Sequence, residues 1–157
     1  MQQGHMDNTS NTPLETAFDS AEDSPGFLLW QVSNVWQRRQ RDALAPLELT
    51  HVQFVLLASL AYLSHSAEPI TQIRLAQHAQ TDQMMTSQVL RTLEGKGLLE
   101  RITHPTDARA KSLKITNKGL ELANRAVGVV EQMDRAFFAT LGEDVQGFMG
   151  MVQRLLK

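Results

Sequence analysis

The feature that most restricts what this chain can fold into is a change of hydrophobic period at Gly95-Lys96-Gly97. Upstream, two short segments, Thr71 to His78 and Asp82 to about Glu94, carry apolar residues at helical spacing. Downstream, Leu99-Glu100-Arg101-Ile102-Thr103 and Ser112-Leu113-Lys114-Ile115-Thr116 alternate with a period near two and include β-branched residues, as strands do. The intervening HPTDARA stretch, His104 to Ala110, is turn-forming and unsuited to a strand interior. Two short helices joined tightly and followed by one hairpin with a long polar tip have the order of a winged helix-turn-helix. A plain helical bundle has no reason to place a hairpin there. The expected fold is mainly α with a small β-hairpin wing.

The flanks supply the remaining helices. Ser24-Pro25 is a start signal, a capping residue before proline, for a helix running from Phe27 to about Ala43. Its apolar residues are Leu28, Leu29, Val32, Val35 and Trp36, and Arg38, Arg39 and Arg41 suit the C-terminal end of the helix dipole. After Pro46, Thr50 can cap a second helix that is apolar nearly all round from Val52 to Leu63, which places it at the centre of a core. Thr71 and Thr81 are the expected caps of the two short helices. Asn117 opens a long helix with Leu120, Ala123, Val127, Val130, Met133 and Phe137 on one side, Leu141-Gly142 interrupts it, and a last helix carries Val145, Phe148, Met149, Val152, Leu155 and Leu156. The organisation read from this is a disordered segment over 1–25 and one domain over 26–157. Within that domain the winged portion spans about 50–118, and dimerisation helices lie at about 26–45 and 118–157. Gly4-His5-Met6 resembles a cloning remnant and carries no functional reading.

Function is expected on the second short helix. At about 100° per residue, Met85, Val89 and Leu93 form an inward stripe flanked by Leu90 and Thr86. Met84, Ser87 and Arg91 lie opposite, with Gln83 and Gln88 at the margins. These are the groups that read a major groove: Arg for guanine, Gln for adenine, and an apolar contact for the thymine methyl. The expected DNA-facing set is Gln83, Met84, Thr86, Ser87, Gln88 and Arg91. A merely solubilising face would show Glu and Lys pairs and would not expose Met84. At the hairpin tip, Asp107, Arg109 and Lys111 complete the set. An arginine there can enter a narrow A·T-rich minor groove, although an exposed Asp107–Arg109 ion pair of no consequence fits the spacing equally well.

Charge supports the assignment despite a formal net charge of −2 for the 157 residues. Residues 1–26 hold five acidic and no basic residues, so the remainder is +3, and Arg91 to Lys118 holds seven basic against three acidic residues. A local excess of +4 suits phosphate contact, as it would an ordinary solvated face.

Several function classes are excluded or disfavoured. With no cysteine, disulfides, thiolate metal sites and cysteine-based redox sensing are ruled out. The histidines lack metal-ligand spacing, and there is no nucleophile elbow, P-loop or dinucleotide-binding glycine series. No enzymatic activity, metal or cofactor is expected. There is no apolar run long enough to span a bilayer and no secretory leader pattern, so the reading is cytoplasmic without a membrane partner.

Thr71 to Ala79 (TQIRLAQHA), Thr81 to Glu94 (TDQMMTSQVLRTLE), Lys96 to Arg101 (KGLLER), the Asp-x-Arg of Pro105 to Arg109, and Leu113 to Thr116 (LKIT) with Gly119 together resemble the MarR family of transcriptional regulators. The resemblance covers about Phe27 to Lys157. It implies a homodimer that binds a palindromic double-stranded DNA operator, usually as a repressor, with a small aromatic or phenolic effector as a further partner. Phe27, Leu28, Met133, Phe137, Phe138, Phe148, Met151 and Leu155 are expected to dimerise, because terminal helices apolar on more than one side need a second partner. Trp36, His51 and Phe54 are the candidate effector residues, against the plainer reading that Trp36 and Phe54 are core. The alternative function is a winged-helix protein-interaction module that never touches DNA.

Overall fold

The computed structural model describes residues 14–107, 109 and 111–157. The first thirteen residues of the segment expected to be disordered lie outside these, as do Ala108 and Ala110 of the hairpin tip. The chain divides into two compact units, Met1–Trp36 and Gln37–Lys157. The boundary falls inside the first helix, α1 (Pro25–Leu44).

In the N-terminal unit, a 3-10 turn at Ala21–Asp23 is closed by the Ser20 backbone N–H donating to the Asp23 carboxylate at 3.0 Å. Ser24 then starts α1 as expected. Its carbonyl accepts from Leu28 N and its hydroxyl from Phe27 N, with Pro25 in the first turn where a missing N–H costs nothing. The apolar residues predicted at helical spacing are here, but Leu28, Leu29, Val32 and Val35 are exposed, and Trp30 is 66% exposed.

The larger unit holds α2 (His51–Leu63), α3 (Gln72–Ala79), α4 (Gln83–Gly95), the antiparallel strands β1 (Leu99–Thr103) and β2 (Lys111–Ile115), α5 (Asn117–Phe138), a 3-10 segment and α6 (Val145–Leu155). The reading of α2 as the central helix holds: it packs against α3, α4, β2 and α5, and Leu56, Leu57 and Leu60 are wholly buried. Thr50 caps it through a reciprocal pair with Gln53, which satisfies two of the backbone N–H groups a helix start leaves over. Leu75, Leu90, Leu93, Leu98, Leu99 and Leu113 close the core around it.

One glycine has no substitute. A Cβ on Gly119 would run into the Leu98 carbonyl oxygen, so the first turn of α5 can seat against the segment between α4 and β1 only because that position is bare. Thr116 fastens the same joint: its hydroxyl donates to Gly97 O at 2.7 Å and accepts from Gly119 N at 3.0 Å. The inward side of α5 is Gly119, Ala123, Ala126 and Val130, whereas Leu120, expected inward, is 41% exposed. Small residues let α5 approach closely, and the larger Leu120 has no room on that side. Gly142, at φ 53°, breaks the chain between α5 and α6 where the sequence placed an interruption. Among the described residues, no single helix is long and apolar enough to cross a membrane.

Candidate nucleic-acid interface

Helix α4 is held at both ends by bonds its own sequence encodes. At its start Asp82 Oδ1 accepts from Met85 N at 2.9 Å, so Asp82 is the cap rather than the expected Thr81. The Thr81 hydroxyl instead pairs with the Thr86 hydroxyl at 2.8 Å, and Thr86 also donates to the Asp82 carbonyl at 2.6 Å. Gln72 of α3 reaches across the turn to donate to Gln83 O at 3.3 Å. At the far end, Gly97 (φ 74°) adopts the left-handed conformation: its N–H bonds Glu94 O, and Leu98 N bonds Leu93 O. This is the glycine stop expected from Gly95-Lys96-Gly97.

These constraints fix which side of α4 faces out. Leu90 and Leu93 are fully buried and Val89 is half-buried, as expected. Thr86 is also fully buried, and this corrects its place in the DNA-facing set: both its hydroxyl bonds are internal, and it cannot reach a base without unpacking the helix. Met85, expected inward, is 39% exposed, so the buried stripe is centred about one residue further along than the helical wheel put it. Gln83, Met84, Gln88 and Arg91 are exposed, Met84 at 72%, and Ser87 is half-buried. Arg91 donates to Ser87 Oγ at 3.2 Å, which joins the cation to the hydroxyl on the outward side.

The hairpin pairs Leu99 with Ile115 through Thr103 with Lys111. Its root is tied to the chain before α3, where Leu113 N donates to Ile70 O at 2.7 Å. Asp107, Arg109 and Lys111 are all exposed. Asp107 uses Oδ1 to accept the backbone N–H of Arg109 at 3.0 Å, so it shapes the turn that carries the arginine. Of the seven cations between Arg91 and Lys118, two are paired, Arg101 with Glu94 at 3.3 Å and Lys114 with Glu100 at 3.8 Å. Arg91, Arg109 and Lys111 are in no ion pair among the described residues.

The remaining predicted residues fall in two groups. Phe27 and Leu28, in the N-terminal unit, are exposed, as are Met151 (52%) and Leu155 (79%) in α6. Met133, Phe137, Phe138 and Phe148 are half-buried. Phe138 lies edge-on to Phe137 at 5.0 Å and 5.6 Å from Phe148, and the Arg39 guanidinium sits 5.2 Å from the Phe137 ring centroid. Among the candidate effector residues, Phe54 belongs to the core cluster, in keeping with the plainer reading of it. Trp36 is half-buried in the N-terminal unit. His51 is half-buried, and its burial lowers the imidazole pKa while the Asp134 carboxylate acts to raise it.

Asp134 also takes part in a polar pair that the sequence does not announce. Gln40 is wholly buried, its Nε2 donates to Asp134 Oδ1 at 2.8 Å, and its Oε1 has no hydrogen-bond partner among the described residues. The two residues are 94 positions apart, and no local pattern links them.

With the geometry in place, the chain can be set beside known proteins. The model of the MarR family matches residues 49–111, from the residue before the α2 cap to the first residue of β2. The HTH-type transcriptional regulator YdcH of Bacillus subtilis is 46% identical over 89% of this chain and 95% of its own length. The chain belongs to the MarR family. The HTH-type transcriptional repressor Rv2887 of Mycobacterium tuberculosis is 33% identical over 86% of this chain and 96% of that protein. Among solved structures, a mutant of MarR from E. coli complexed with operator DNA superposes with a TM-score of 0.75 at 25% identity, covering 84% of this chain and 93% of that one. The expected fold, a MarR-type winged helix with mainly α content, is the observed one.

Proposed function

We propose that this MarR-family chain is a sequence-specific double-stranded-DNA-binding transcriptional regulator that works as a homodimer in the cytoplasm and catalyses no reaction. The observation that carries the proposal is the outward side of α4. It presents Gln83, Met84, Gln88 and Arg91 on a helix whose other side is locked by Thr86, Leu90 and Leu93. Such a helix can enter a major groove without rearranging, and its exposed groups match base edges. In the same reading Arg109 enters the neighbouring minor groove, and Lys111 lies beside phosphate. The exposed apolar residues of α1 and α6 support a second copy, since a chain that stayed single would leave them in water. Two-fold symmetry then puts two α4 helices about 34 Å apart, facing half-sites one DNA turn apart in a palindrome. Similarity to a mycobacterial repressor favours repression, and a small aromatic acid is the proposed releasing ligand.

Fluorescence anisotropy with DNA from upstream of the chain's own reading frame tests this. Affinity should fall roughly 10³-fold or more between about 50 and 200 mM salt. Aromatic carboxylates should weaken it further. Binding that ignores salt, or that fails at the lowest ionic strength, overturns the proposal and favours a protein-interaction module.

A further inference from the structure

We propose that His104 is a positioning residue for the wing, whose ring nitrogen Nδ1 folds the hairpin tip and so aims Arg109. This rests on the reading of Arg109 as a DNA contact. His104 follows the last residue of β1, and two backbone donors converge on its Nδ1, the N–H of Thr106 and the N–H of Asp107, each at 3.2 Å. The Thr106 hydroxyl lies 3.3 Å from the same atom. Pro105, between them, has no N–H to offer and fixes its own φ, which leaves the chain fewer ways to leave the turn. Asp107, placed by that bond, passes the order on, because its Oδ1 accepts Arg109 N at 3.0 Å. Two side chains thus act in series from the end of β1 to the arginine. By sequence alone His104 counts only as part of a turn-forming stretch, with no part in the site.

The chemistry restricts what can stand at this position. Nδ1 is separated from Cα by the same number of bonds as Oδ1 of asparagine, the atom that makes such turns elsewhere. An acceptor one bond further out, as in glutamine, does not occupy that point. Two backbone donors on Nδ1 also require it to carry no proton, so the neutral ring must hold its proton on Nε2.

The first test needs no DNA. Long-range ¹⁵N–¹H correlation spectra of the full chain at pH 8 should show His104 as the Nε2–H tautomer, and an Nδ1–H tautomer overturns the proposal. The second test is DNA affinity. His104→Ala and His104→Gln should each weaken binding about 3- to 10-fold, as expected for losing one or two hydrogen bonds that orient a contact. His104→Asn should stay within about twofold of the parent, the range of an ordinary surface change. Combined with Arg109→Ala, His104→Ala should add little, since it acts through the same contact. Equal losses for Asn and Ala, or additive losses with Arg109→Ala, overturn the proposal. If the parent chain itself does not bind DNA, the functional reading fails, while the tautomer still decides whether His104 builds the turn. Melting temperatures of all these variants should stay close to the parent's, because the bonds His104 makes lie within the tip and none reaches the core.

Discussion

Helices α4 and α6 are of similar length, 13 and 11 residues, and both carry apolar residues at helical spacing. Their fates differ. α4 buries Thr86, Leu90 and Leu93 within the chain, and what it leaves outside is mostly polar. α6 buries none of its residues, and Met149, Met151 and Leu155 stand in solvent together with the neighbouring Leu156. One apolar face is answered by the same polypeptide; the other stays exposed among the described residues. Sequence periodicity alone cannot separate these cases, because it reports that a face is apolar and not whose side chains will cover it.

The sharpest way to break this contrast is to delete the packed side of α4. Leu93→Ala should destabilise the chain by about 2–5 kcal/mol through lost burial and a residual cavity, read as a lower urea midpoint whatever the protein concentration. On α6, Leu155→Glu should leave secondary structure by circular dichroism intact and convert the dimer to monomer in sedimentation experiments. A dimer that survives would show that α6 answers to something other than a second copy. Thr86→Val retains shape but strands the Thr81 hydroxyl, for a cost of about 1–3 kcal/mol. It should also narrow the gap between specific and non-specific DNA affinity, while Thr86→Ser restores it. Arg109→Ala should weaken binding to all sequences, most beside A·T tracts, and lower the salt slope by about one.

The smallest effect concerns pH. Burial lowers the His51 pKa in the folded chain, so the unfolded chain binds more protons between that value and the ordinary one near 6.5. The stability His51 contributes is therefore complete above about pH 6.5 and declines as pH falls through the window below it. His51→Gln should flatten that part of a plot of melting temperature against pH, and an unchanged plot would refute the assignment.

How much of this was legible beforehand follows from the range of each interaction. The winged helix-turn-helix showed in the primary structure because period, capping and glycine stops act within a few residues. Asp82 took the cap from Thr81 because both have a suitable oxygen and only the backbone path decides between them. Thr86 lies in line with Leu90 and Leu93 in the buried stripe, and an error of one residue in where the helical wheel centres that stripe is enough to move it from core to groove. Gln40 and Asp134 meet across 94 positions, and the bond from Leu113 to Ile70 joins segments that share no pattern. His104 was hidden for another reason: its role depends on where one ring nitrogen points. On α4, the outward placement of Gln83, Met84, Gln88 and Arg91 was readable, and the burial of Thr86 was not.

The bare Cα at Gly119 has a mechanical consequence. With the Leu98 carbonyl almost touching it and Thr116 and Lys118 clasping Gly97 and Lys96, the first turn of α5 is pinned to the stretch of chain that leaves α4. A methyl added at position 119 could be seated only by prising the start of α5 away from that segment.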